Sequence, residues 1–190
     1  MFTFQVGNTT FHFLPLIISL LVIFAVFAFS VILRVIHINS MKKLCAAGEY
    51  ERSISYAEKL LKFFTRSNKL FRNKNSQRTI EDLHIWLAID YLGLSKYDLF
   101  WEHINKVGGR EDVKNSWIAA CYILQKDAEK AKEFLEKIEQ TEQMKNTLAL
   151  LNGAILCEQG NADEGKRMIE SVFPKLNFAL SRKIALNYLA

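Results

Sequence analysis

The stretch LCAAGEYERSISYAEKLLKF, Leu44 to Phe63, reads as the end of one helix, a tight turn at Gly48 and the start of a second helix. The same shape returns in YLGLSKYDLFWEHINKV (91–107), YILQKDAEKAKEFLEKI (122–138) and LCEQGNADEGKRMIESVF (156–173). The turns fall at Gly48, Ser95, Lys126 and Gly160, and two residues on stand Tyr50, Tyr97, Ala128 and Ala162. Three residues further come Ser53, Phe100, Ala131 and Gly165, where two antiparallel helices approach most closely. Small side chains suit that place, and Phe100 is the exception. The turns lie 47, 31 and 34 residues apart, so extra residues, RSNKLFRNKNSQR and its neighbours, sit between the first unit and the second. Prolines occur only at Pro15 and Pro174, and apolar residues recur at helical spacing from Met41 to the end. The expected fold class is all-α.

The pattern resembles the tetratricopeptide repeat (TPR), a helix-turn-helix unit of about 34 residues with a large-small pair and an aromatic in its first helix. Leu87, Ala88 and Tyr91 match it, as do Ile118, Ala119 and Tyr122, whereas Asn152, Gly153 and Leu156 keep only the small residue. The resemblance implies an α-solenoid of about four units over residues 39–173, with a basic insertion near 65–79 and a capping helix at 174–190.

Ahead of the repeats, LPLIISLLVIFAVFAFSVIL, Leu14 to Leu33, carries no charge over about twenty residues, a length that would cross roughly 30 Å of hydrocarbon. Val26, Phe27 and Ala28 offer a cleavage-like site, but no Lys or Arg precedes the run and the run continues past it, so the expectation is a retained transmembrane helix at 14–38. Arg34, Lys42, Lys43 and Arg52 all follow the uncharged run that ends at Leu33. The positive-inside rule then puts residues 1–13 outside and the repeats in the cytoplasm, as a single-pass membrane protein. The sequon at Asn8 is given no weight.

The chain has 190 residues and a formal net charge of +5, a basic balance that suits a negative surface without naming one. Cys45, Cys121 and Cys157 are odd in number and widely spaced, as buried thiols in a reducing compartment would be. His12, His37, His84 and His103 have no ligand at metal-binding spacing, and no metal or cofactor is expected. Gly108 and Gly109 read as a turn rather than a phosphate loop, and the charges of residues 126–145 read as a solvated helix face. No nucleophile and base pair stands out, and the chain is not expected to be an enzyme.

In the TPR register the first helix of each unit lines the concave surface, with Trp86 and Trp117 at equivalent positions. Ile85, Ile89, Ala120, Ile123, Leu150 and Ala154 lie along or beside them. These residues are either a partner groove or ordinary packing between helices. The Lys and Asn set with which some TPR proteins bind a chaperone's carboxyl terminus is missing, since Ile85, Ile89, Ser116 and Ala120 stand there. A second surface is the run Lys59, Lys62, Arg66, Lys69, Arg72, Lys74 and Arg78, without one Asp or Glu, which would suit anionic lipid head groups beside an anchor. The leading expectation is a membrane-anchored interaction module that binds a protein partner. The alternative is a basic helical module for nucleic acid or a non-catalytic subunit of an enzyme complex; nucleic acid is the less expected ligand, because no recognised motif accompanies the charge.

Overall fold

A helix that ends must satisfy its last carbonyl groups, and this chain does so in one way four times. At Gly48 the N–H donates to Cys45 O (3.1 Å) and the next N–H, of Glu49, to Leu44 O (2.9 Å). Ser95 and Lys96 repeat the pair on Leu92 and Tyr91, Lys126 and Asp127 on Ile123 and Tyr122, and Gly160 and Asn161 on Cys157 and Leu156. These crossed bonds define the Schellman motif, which requires a left-handed residue at the turn. All four turn residues have it, with φ of 84°, 59°, 64° and 91°. Helices then restart two residues on, at Tyr50, Tyr97, Ala128 and Ala162.

In the computed structural model the backbone is described for residues 3–6, 9–12, 14–71 and 74–190, and the side chains for 17–25, 28, 29, 31–69 and 74–190. The expectations at Asn8, Val26, Phe27 and Arg72 therefore lie outside the described residues or side chains. The chain divides into two units, Met1–Asn39 and Ser40–Ala190.

The first unit begins with strands β1 (Thr3–Val6) and β2 (Thr9–His12), paired antiparallel with Phe4 opposite Phe11. This hairpin is an addition to the all-α expectation. Helix α1 (Leu14–Ala47) follows, with Leu21, Ile23, Phe24 and Phe29 exposed. The transmembrane helix expected at 14–38 is not supported. Among the described residues no helix is long and apolar enough to cross a membrane. The single-pass topology and the membrane localisation drawn from that span fall with it.

The second unit is helical throughout and compatible with a helical repeat fold. After the end of α1 come α2 (Tyr50–Phe71), α3 (Lys74–Gly93), α4 (Tyr97–Ile104), α5 (Glu111–Leu124), α6 (Ala128–Leu135), α7 (Lys145–Glu158), α8 (Ala162–Val172), a 3-10 turn at Phe173–Lys175 and α9 (Ala179–Leu189). The helices joined by the last three turns, α3 and α4, α5 and α6, α7 and α8, pack as pairs, and α2 packs on α3. Seven residues before each turn stand Met41, Ala88, Ala119 and Gly153, and five after it Ser53, Phe100, Ala131 and Gly165, all buried. The two sets face each other. Ser53 Oγ donates to Met41 O at 3.3 Å, and a Cβ on Gly165 would sit 2.5 Å from Gly153 O. By the same register Phe100 stands opposite Ala88, a small residue on the first helix making room for a large one on the second.

The described residues between the first and second units lie in helices. They lengthen α2 and α3 into a hairpin, tied where Asn68 Nδ2 donates to Gln77 Oε1 at 3.2 Å. None of its described side chains from Leu61 to Asp82 is buried.

Two substitutions test this account of the turns and the close approach. Gly165→Ala should lower the free energy of unfolding by about 1–3 kcal/mol, because its methyl group meets the backbone of Gly153 and Cys157 as well as the Cys157 sulfur. Ser95→Gly should raise it by roughly 0.5–1 kcal/mol by relieving a left-handed serine. Urea unfolding of both variants measures the changes.

Candidate functional site

The first helices of the second, third and fourth repeats, α3, α5 and α7, contribute matching positions to one cavity of about 240 Å³. Thirteen residues ahead of each turn come Asp82, Val113 and Thr147; ten ahead, Ile85, Ser116 and Leu150; nine ahead, Trp86, Trp117 and Leu151. Ile89 and Ala120, six ahead of theirs, complete the floor. A wall that repeats with the turns is a surface built by the stack itself, because one register position recurs on the same side of every repeat.

The fourth side is α9. Phe178, just before it, lies against both tryptophans, with ring centroids 5.8 Å from Trp86 and 6.1 Å from Trp117, and Ser181 and Ile184 line the cavity too. Lys42 Nζ sits 5.8 Å from the Trp86 ring centre. At the rim Arg110, itself left-handed with φ 54°, pairs with Asp82 at 3.2 Å, joining the start of α5 to α3.

Of the residues singled out in the sequence, Ile85, Trp86, Ile89, Trp117, Ala120 and Leu150 all line the cavity. Ile85, Ile89, Ala120 and Leu150 are buried as floor, while Trp86 and Trp117 are half-buried. Ile123 is buried and stands apart from the lining. Lys59, Lys62, Arg66, Lys69, Lys74 and Arg78 are exposed on the α2–α3 hairpin, away from the cavity lining. Sequence reasoning missed Phe178 and Arg110. The repeat spacing, counted back to thirteen residues, would have found Asp82, Val113 and Thr147, but nothing periodic announces a helix that folds back.

Reactive chemistry is held down. Burial pushes the Cys45 thiol far above its usual range, Cys121 up to about 12 and Cys157 upward, so all three stay protonated at neutral pH and are poor nucleophiles. Among the described residues no group of three or more His, Cys, Asp or Glu is placed to hold a metal ion.

Two buried titrating centres remain. Asp90 is fully enclosed, and neither carboxylate oxygen has a well-formed hydrogen bond among the described residues. Burial raises it to about 6, against favourable interactions with Ser53 and Cys45. His84 and His103 meet through Nδ1 atoms 2.9 Å apart, and Tyr91 stacks on His103. Burial, then the charges of His103 and Lys106, pushes His84 down to about 4, and burial lowers His103 as well.

These centres oppose each other between about pH 4 and 6.5. Asp90, raised in the fold, contributes stability below pH 4 that is lost as the pH rises through 6. His84, lowered in the fold, costs stability as the pH falls from 6.5 through 4, because the unfolded chain then binds the proton first. Asp90→Asn should therefore stabilise the protein at pH 8, by on the order of 1–3 kcal/mol, and leave a profile that climbs from pH 4 to 6.5. Urea midpoints measured across that range check both parts. The chain matches no protein-family model, no curated protein and no solved structure.

Proposed function

We propose that the chain is a TPR-like interaction module that holds a short segment of a protein partner in the groove of α3, α5 and α7. The observation that carries this reading is the cavity lining. Three register positions recur across three repeats and end on two half-buried tryptophans. A wall needed only for packing would close, whereas this one stays open around Trp86 and Trp117.

Half-buried tryptophans are what interface hot spots are made of, since a large rigid ring gains much on losing its remaining water. The cavity is smaller than the roughly 300–1,000 Å³ of a drug-sized ligand site, and suits one or two apolar side chains presented by a peptide. Arg110 and Asp82 at the rim supply one charge of each sign to orient the segment.

Panning the full chain against displayed random peptides tests the groove. Enriched peptides should share an aromatic or large aliphatic anchor, and should bind Thr147→Lys at least tenfold more weakly, because that cation enters the cavity from a partly exposed position. Circular dichroism should show the variant equally helical. Peptides that bind Thr147→Lys undiminished would place the binding site elsewhere.

A further inference from the structure

Helix α9 lies along the repeats rather than beyond the last of them. The Cβ of Ala179 is at the turn of the first repeat, 3.1 Å from an ideal Cβ on Gly48. Lys183 Nζ donates to Gly93 O, at the end of α3, at 3.5 Å. Tyr188 meets the turns of the last two repeats, its ring 4.6 Å from Lys126 Nζ and its hydroxyl beside Glu158, which pairs with Lys126. One short helix thus touches all four repeats. Its buried side chains are Leu180, Ile184 and Ala185, a one-sided apolar stripe, with Phe178 inserted ahead of them between the tryptophans.

The fit is incomplete. The cavity of about 240 Å³ remains between α9 and the groove floor, and Leu186 is 54% exposed. Atoms lining an unfilled space lose their dispersion partners, so a helix that filled it would hold better than α9 does. The attachment of α9 also favours release. It hangs from α8 by a 3-10 turn containing Pro174 and three linking residues, and no side chain caps its first turn.

We infer that α9 is a built-in occupant of the groove, and that the partner is a short amphipathic helix of the same chemistry, which enters by displacing it. The partner's signature is an aromatic residue two positions ahead of an apolar i, i+4, i+5 stripe. This rests on the reading of the groove as a binding surface. Because α9 is tethered, it competes at an effective concentration in the millimolar range, which sets what an external helix must overcome.

A fluorescently labelled peptide of residues 176–190, acetylated at its start, is the probe, and fluorescence anisotropy with the full chain is the measurement. Binding to the native chain should be weak, and at least tenfold tighter to Phe178→Ala, whose own α9 has lost its wedge. A chain carrying Gly48→Cys and Ala179→Cys should lose the peptide when oxidised and regain it on reduction. That comparison is made within one folded molecule, so it holds even where Phe178→Ala unfolds. Equal binding to the oxidised and reduced chains overturns displacement. Should displayed peptides bind the oxidised chain through Thr147 while this probe shows no preference, the groove is a binding site and α9 is only its wall. Failure of every peptide on every form sinks both readings.

Discussion

Everything in the second unit hangs on how its helices end. A carbonyl left without a donor inside a packed stack costs more than a left-handed residue does, so each first helix is stopped by the same two crossed hydrogen bonds. The stop sets the start of the next helix two residues on. It also fixes which positions of the pair meet, seven before the turn against five after it. Size is traded across the contact at Met41 with Ser53 and Ala88 with Phe100, while Gly153 and Gly165 are both small and let the backbones approach. The groove is a further product of the same register, since positions nine, ten and thirteen before the turn come round to one side.

Glycine is the usual residue for such a stop, yet only Gly48 and Gly160 are glycines. Ser95 and Lys126 accept the left-handed backbone without that freedom. Lys126 has a second task that glycine could not perform, because its ammonium group pairs with Glu158 and lies over Tyr188. A strained residue at the third turn is thereby also the clasp on the far end of α9.

The helical body and its turns were legible in the sequence because the Schellman stop is local. Five or six consecutive residues contain all its physics, and Gly48, Ser95, Lys126 and Gly160 could be picked out by eye. The tryptophans were legible for the same reason, as equivalent positions in neighbouring units. What was not legible depends on contacts distant along the chain. Phe178 reads as one apolar residue in a closing helix, and only the fold brings it between Trp86 and Trp117. The residues between the first two turns read as a basic insertion of no stated shape, and only the fold shows that they extend α2 and α3 as a pair. The apolar N-terminal run misled in the opposite direction, its composition being taken for a membrane span.

The return of α9 also has a bearing on time. Each repeat closes on contacts within about thirty residues, so a chain growing from its N-terminus can fold them in turn, while the bond from Lys183 to Gly93 joins residues 90 positions apart. Phe178 and α9, which lie against or beside Trp86 and Trp117, are made after all four repeats. During synthesis the open face of α3, α5 and α7 therefore exists before its cover does.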